Sequence, residues 1–332
     1  MSSYFSLGSK ALPPLNLQLP SAKEKSRALI VAGGGMKGSF AGGVLCAVNQ
    51  YIPSTFFDLI VGVSSGSCSA AYYTTGYEAD YKESLRIVEI WKKELVGRKL
   101  ISLLHPLNGK SILDQEYLID YLFGKKYRLP GEYFEKKETT PFYVVVTNLA
   151  KLQAEYVRAT ATNALNLLKA ATSLPIATRG KWKLEGQLYG DGGISDPIPI
   201  EKVIEAGYKD ITIVLNSPGD DFSPPVPGIQ GWLSYPLNRK LYHMITKVHH
   251  TMYNRALRII QSPPNGVKIH LVCPEKSDLG MVSTSSKLLN RSVNRGMEAG
   301  HKIVSTLINE FHSLKNKSKL FSKSGILNQN TH

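Results

Sequence analysis

L-I-V-G-V-S-S-G-S, residues 59–67, starts as a short apolar strand and ends in a turn made of serines and glycines. Gly62, Val63, Ser64, Ser65 and Gly66 spell G-x-S-x-G, the pattern of a nucleophile elbow, in which a strand turns abruptly into a helix. Such a turn strains the serine backbone and lifts the Ser64 hydroxyl above the sheet. Gly62 and Gly66 fall where strand and helix backbones pass too closely for a Cβ. Five residues of this kind recur by chance in many chains, so the sequence on either side has to carry the rest.

Upstream, Ala28 to Ala32 (A-L-I-V-A) is an apolar run that suits a buried parallel strand. It leads into G-G-G-M-K-G, Gly33, Gly34, Gly35, Met36, Lys37 and Gly38. After it, Phe40, Val44, Ala47, Val48 and Tyr51 recur at helical spacing, and Pro53 ends the helix. Strand, glycine loop, helix and elbow strand together make a right-handed βαβ crossover, so loop and elbow sit on neighbouring strands at one sheet edge. The loop N–H groups converge at a positive helix end and can hold an oxyanion. The same residues fit G-x-G-x-x-G, and a dinucleotide or phosphate loop is the rival reading. A dinucleotide site expects an acidic residue about 20 positions on, at the end of the second strand. Here that strand ends in Ser64. A P-loop expects Lys-Ser or Lys-Thr after its final glycine, whereas Gly38 is followed by Ser39 and Phe40.

Downstream, Phe142 to Asn148 is a strand with a hairpin neighbour at Ala154 to Arg158, and Gln187 to Tyr189 is a short strand delivering Gly190, Asp191, Gly192 and Gly193. Further strands are expected at Ile211 to Asn216 and Lys268 to Cys273. Helices are expected over 67–77, 81–96, 114–123, 163–173, 200–206, 238–260 and 285–314. A long loop from Ser217 to Pro236 contains Trp232. The alternation predicts one α/β domain with a mostly parallel central sheet covered on both faces. Its bounds are residues 27–314, preceded by a polar, proline-bearing N-terminal arm (1–26) that either lies over the surface or is partly disordered, and followed by a basic tail (315–332) that frays.

Hydrophobic residues make up 42% of the 332 and charged residues 20%, which excludes collagen-like, disordered and membrane-embedded classes for the bulk of the chain. No apolar run reaches the roughly 18 to 20 residues needed to span a bilayer. The N-terminus lacks a secretory pattern, so a cytoplasmic location, or export by a route needing no such signal, is expected. The formal charge of +14 attracts polyanions, either nucleic acid or an anionic membrane surface. Cys46, Cys68 and Cys273 are far apart, without ligand spacing, and read as small buried apolar residues.

Acyl transfer by a serine also needs a base. Asp191 in G-D-G-G reads equally as a turn aspartate making an Asx hydrogen bond, and at its ordinary pKa of about 3.9 it is a feeble base unless desolvated. Of the histidines, His105 is in a loop, His243, His249 and His250 are on one helix, and His270 is inside a strand. None lies in a glycine-flanked loop after a strand. An ordinary Ser-His-Asp esterase recruiting one of His243, His249, His250 or His270 stays open, as does a basic protein holding nucleotide or phosphate in the glycine loop.

Three motifs in order, G-G-G-M-K-G at Gly33, G-V-S-S-G at Gly62 and D-G-G at Asp191, resemble the signatures of the patatin-like phospholipases, in particular their small bacterial branch. A-T-S-L-P (Ala171 to Pro175) is similar to that family's segment before the catalytic aspartate, and the likeness covers roughly residues 28 to 310. Lys37 stands where arginine is commoner in the family. The resemblance implies a three-layer α/β/α fold and a Ser-Asp dyad without histidine. Ser64 would be nucleophile and Asp191 base, with the N–H groups of Gly33 to Gly38 as oxyanion hole. It also implies hydrolysis of fatty acyl esters of phospholipid or lysophospholipid, with no metal, cofactor or nucleic acid involved. Arg239, His243, Lys247, His250 and Arg258 form one stripe of the 238–260 helix, opposite Leu241, Ile245, Val248, Met252 and Ile259. Together with Trp232 and the tail residues Lys315, Lys317, Lys319 and Lys323, that basic stripe is a candidate for peripheral contact with anionic lipid.

Overall fold

The structure is a computed structural model that describes residues 18–76, 82–178, 180–227, 238–277 and 279–327, with side chains described up to residue 309. Among the described residues one mixed sheet contains β1 (Arg27–Val31), β2 (Leu59–Val63), β3 (Phe142–Asn148), β4 (Gln153–Arg158), β5 (Trp182–Leu184), β6 (Gln187–Asp191), β7 (Asp210–Val214) and β8 (Lys268–Val272). β3, β2, β1, β7 and β8 lie side by side and parallel. Every residue of β2 and β3 is buried, which is why both read as unbroken apolar runs rather than as alternating strands.

The two sheet faces take alternate residues. Leu29, Val31, Ile60, Val144 and Val146 share one core with α1 (Ser39–Asn49), α2 (Ser65–Thr75), α3 (Lys82–Glu89) and α4 (Ala164–Ala171). Ala28, Ile30, Leu59, Val61 and Val145 share the other with α5 (Ile200–Glu205) and α6 (His249–Gln261), which is entered through Arg239–His243 and a π turn Met244–Val248. The last helix, α7 (Ser286–Leu327), adds Leu289, Val293, Val304 and Leu307 to the first core. Helices therefore cover both faces, as the sequence predicts. α1 is buried along its whole length, clamped between the sheet and α7.

The antiparallel part of the sheet positions the site. β4 pairs with Tyr143 to Asn148 of β3 and takes up one edge of that strand. The other edge is shared. β2 pairs with Phe142 to Val145 in parallel, and β6 pairs with Val146 to Asn148 in antiparallel. β2 and β6 thus run towards each other along β3, with Val63 opposite Val145 and Asp191 opposite Val146. The end of the elbow strand and the end of the D-G-G strand meet head to head.

Two details differ from the sequence expectations. β5 and β6 form a hairpin through Glu185 and Gly186, both at positive φ as a primed two-residue turn requires. The segment hides because β5 has three residues and its turn is Glu-Gly rather than Asn-Gly. The final helix continues past residue 314 to Leu327. At the other end, Ala22 of the N-terminal arm donates to Ala206 O (2.7 Å), and Leu19 and Ala22 pack on the α5 core, so this part of the arm lies over the surface, one of the two alternatives for it. Residues 228–237, with Trp232, and the side chains of the tail lysines lie outside the described residues. The basic stripe of the 238–260 helix faces outward at Arg239, His243, Lys247 and Arg258, but of the expected apolar stripe only Leu241 is buried, Ile245, Val248, Met252 and Ile259 being half-buried, and the core contacts are made instead by Met244, Ala256, Leu257 and Ile260. No helix among the described residues is long and apolar enough to cross a membrane.

Candidate active site

Ser64 stands between β2 and α2 with φ +50° and ψ −129°, backbone that a non-glycine residue rarely adopts. The turn is held by packing. A Cβ on Gly66 would lie 2.4 Å from both Val31 O and Ala32 O, and one on Gly62 would lie 2.6 Å from Ser67 Cα. Only glycine lets α2 start this close to the neighbouring strand, so the two glycines determine the turn that strains Ser64.

The Ser64 hydroxyl donates to Asp191 Oδ2 at 2.5 Å, across 127 positions of sequence. Asp191 is 1% exposed. Its Oδ1 accepts from Gly193 N (2.7 Å), its backbone N–H donates to Ser173 O (3.0 Å), and its carbonyl accepts from Thr147 Oγ1 (2.7 Å). Thr147 Oγ1 also lies 2.8 Å from Ser195 Oγ. Burial pushes the Asp191 carboxyl up to about 6, against the opposing pull of the hydrogen bonds from Ser64 and Gly193. A buried carboxylate of raised pKa in contact with a hydroxyl is arranged to take that proton.

The glycine loop lies against the serine. A Cβ on Gly33 would meet Ser64 Cβ at 2.9 Å. Gly35 has φ +56°, and its Cα faces Met281 O so closely that a Cβ would stand 2.5 Å from it. Met36 N donates to Met281 O (2.9 Å) and Lys37 N to Gly34 O (3.1 Å), so two loop amides are already engaged. Lys37 turns its side chain aside to Ser217 Oγ (3.0 Å).

Asn216, just beyond β7, braces this loop. Its Nδ2 donates to Ala32 O (2.7 Å) and Gly33 O (3.2 Å), and its Oδ1 accepts from Ala41 N (3.1 Å). The Gly33–Gly34 peptide is trans, so a Gly33 carbonyl held by Asn216 turns the Gly34 N–H away from that side. Sequence reasoning gave Asn216 and Thr147 no role and weighed His249 only as one of four histidines that an ordinary triad could recruit. A polar residue at the end of an apolar strand, next to the glycine loop in space, was the available signal for Asn216.

Among the described residues no histidine enters the Ser64–Asp191 contact. His249 Nδ1 lies 2.7 Å from Gly193 O, behind the D-G-G turn, and burial lowers its pKa. His243 is exposed on the α6 helix, His270 is paired with Asp210 at 3.2 Å in β8, and His105 is held by backbone carbonyls in a loop. His250, also on α6, is half-buried. Among the cysteines, Cys68 is buried one turn into α2, and burial followed by the nearby Asp191 charge pushes its thiol up to about 12. Among the described residues no group of three or more His, Cys, Asp or Glu side chains is placed to hold a metal ion.

Comparison with known proteins places these motifs in a family context. The family described as Patatin-like phospholipase matches residues 29–204, a span that contains the glycine loop, the elbow and Asp191. "Uncharacterized protein YjjU" of Escherichia coli (strain K12) is 24% identical over 256 residues, covering 75% of this chain and 68% of that protein. "Uncharacterized NTE family protein Rv1063c" of Mycobacterium tuberculosis is 24% identical over 215 residues, covering 64% of this chain. The match spans about half of the mycobacterial protein, 54% of its length. Among solved structures, VipD from Legionella pneumophila aligns with a TM-score of 0.44 and 14% identity over 90% of this chain and 72% of that one.

Proposed function

Because this chain belongs to the patatin-like phospholipase family, we propose that it is a lipid acyl hydrolase that cleaves fatty acyl esters of phospholipid or lysophospholipid through an acyl-enzyme on Ser64. The observation that carries the assignment is the direct 2.5 Å contact between the Ser64 hydroxyl and a buried Asp191 whose pKa is pushed up to about 6.

In this mechanism Asp191 accepts the hydroxyl proton as Ser64 Oγ attacks the ester carbonyl. The negative charge passes to the carbonyl oxygen, which faces the N–H groups of the Gly33 to Gly38 loop. Gly34 is the leading donor, because Asn216 holds the preceding carbonyl on the opposite side. A preorganised donor of this kind is worth about 3 to 4 kcal/mol in the transition state. Collapse of the intermediate breaks the ester bond, and the leaving alcohol takes the proton from Asp191. Asp191 then draws a proton from water, whose oxygen attacks the acyl carbon; the bond from that carbon to Ser64 Oγ breaks, and Asp191 returns the proton to Ser64 Oγ as the fatty acid leaves. Raising the carboxyl from 3.8 to about 6 strengthens the base without a histidine.

The contact leaves no place for an imidazole between hydroxyl and carboxylate, which disfavours a Ser-His-Asp arrangement. A phosphate cradle is disfavoured by the packing of Gly33 on Ser64 and by the use of Met36 N–H on Met281 O. The surplus of positive charge suits peripheral contact with anionic lipid. The test is fatty acid release from defined phospholipids and lysophospholipids, with covalent labelling by a fluorophosphonate. Ser64→Ala is expected to lose both, and Asp191→Asn to lose turnover. Unchanged release by either variant refutes the dyad.

A further inference from the structure

Among the described residues, six large apolar side chains on loops linked to the segments of Ser64 and Asp191 remain in water. Leu103 and Leu107 are each 81% exposed, Leu104 53%, Val282 69%, Met281 55% and Ile176 49%. We propose that this apolar rim is the surface by which the protein docks on an anionic lipid bilayer. The inference rests on the lipid hydrolase reading and names the face that the enzyme turns to its substrate.

The three loops that carry the rim are tied to the catalytic segments by backbone hydrogen bonds. Met281 O accepts from Met36 of the glycine loop. Ile176 precedes Ala177, whose carbonyl accepts from Leu113 N (2.7 Å), and the same short segment begins at Ser173, whose carbonyl accepts from Asp191 N. The leucine loop runs from Gly97, whose N–H donates to Thr284 O (2.9 Å), to Leu113. Gln115 beyond it donates to Thr172 Oγ1 (2.9 Å). The rim is thus carried on loops linked to one another and to the segments that hold the glycine loop and Asp191.

The leucines do not stand out for want of order. An Ile101–Leu113 bridge and the Ser102 N to Ile112 O bond (2.9 Å) close the loop, and residues His105–Asn108 form a 3₁₀ turn. His105 spans it, with Nδ1 3.1 Å from Ile112 O and Nε2 3.1 Å from Arg98 O. The knob is prebuilt and offers its apolar side outward. Ile176 adds an independent sign. It is β-branched and held at φ +63°, a conformation rare for such a residue, and half of it still faces water. Burial within this chain does not offset that strain.

Chemistry selects the occupant. The stretch from Gly97 to Leu113 carries Arg98, Lys99 and Lys110, all exposed, with Lys110 paired to Asp114 at 2.6 Å and Lys99 3.7 Å from Glu94. Apolar side chains beside basic residues, on a chain of net charge +14, match acyl chains beneath anionic headgroups. A protein partner would be expected to meet aromatic anchors, and leucine is under-represented among interface hot spots. Of the 238–260 helix, Ala256, Leu257 and Ile260 join the core under α5, whereas Leu241 and Met244 pack against Ile194 beside the D-G-G turn.

The test uses the full chain with Ser64→Ala, so that lipid is not consumed, and flotation with vesicles of phosphatidylcholine with or without phosphatidylglycerol. Adding Leu103→Asp and Leu107→Asp is expected to weaken binding at least tenfold. In the Ser64 background, the same pair is expected to lower the ratio of vesicle phospholipid hydrolysis to hydrolysis of a soluble short-chain p-nitrophenyl ester at least tenfold. A Leu103→Trp probe, sensitive to the environment without removing apolar surface, is expected to shift its emission to the blue on phosphatidylglycerol vesicles. Undiminished flotation of the double variant, or no shift of the probe, overturns the proposal. So does a change from dimer to monomer in sedimentation with flotation intact, since the rim would then bind a second copy. Absence of ester hydrolysis by the wild type would instead refute the hydrolase reading, and flotation would still decide the docking face.

Discussion

Asparagine in place of Asp191 should abolish turnover and, at the same time, make the protein more stable at neutral pH. Asparagine can keep the local contacts, with its carbonyl oxygen accepting from Gly193 N and its amide donating to Ser64 Oγ. What it removes is a charge that burial disfavours. The carboxyl is raised from 3.8 to about 6, so its ionisation costs about 1.36 × (6 − 3.8), or about 3 kcal/mol, of folding stability once the pH exceeds both values. A folded-state pKa above the unfolded one means that stability is fully present below about 3.8 and is lost as pH rises through about 6. The variant escapes that loss. Urea denaturation of wild type and Asp191→Asn at pH 8 should therefore differ by about 3 kcal/mol in favour of the variant, with a midpoint temperature roughly 5 to 10 °C higher. The difference should shrink as pH falls below 6 and vanish near pH 4. Equal stabilities at pH 8, or a gap that does not change with pH, would falsify the claim that Asp191 is held ionised against its burial. The gain with loss of turnover is the expected signature of a group kept for chemistry rather than for folding.

Three other expectations follow from the same contacts. Since Asp191 must be ionised to accept the proton, kcat/KM on a soluble ester should rise about tenfold per pH unit up to a midpoint near 6 and then level off; a profile flat through that range contradicts the base assignment. Asn216→Ala frees the Ala32 and Gly33 carbonyls and leaves the Ala41 amide without its acceptor, so stability should fall by about 1 to 3 kcal/mol. Its kcat should drop at least tenfold with KM little changed, and a loss confined to stability would show that the brace does not shape the oxyanion site. Gly66→Ala drives a methyl into two strand carbonyls and should cost about 3 kcal/mol or more by urea denaturation, with an unchanged midpoint counting against the close approach.

Much of this protein was determined locally. The buried runs at Ala28 and Leu59, the glycine loop and the elbow are each short segments whose residue types admit few backbones, so the crossover and the position of Ser64 were legible in the sequence. So was the candidacy of Asp191, once three motifs stood in order. The contact itself was not. It depends on β2 and β6 running head to head along one edge of β3, a register set by pairing between strands far apart in sequence. The raised carboxyl pKa likewise depends on burial by several segments at once, which no local pattern encodes. The leucines of S-L-L-H-P-L-N are the plainest case. As letters they could equally belong to the core, and only the closed loop around His105, tied at both ends to the catalytic edge, leaves them in water. Short-range sterics decide which turns and strands form, whereas exposure and electrostatics are properties of the assembled surface.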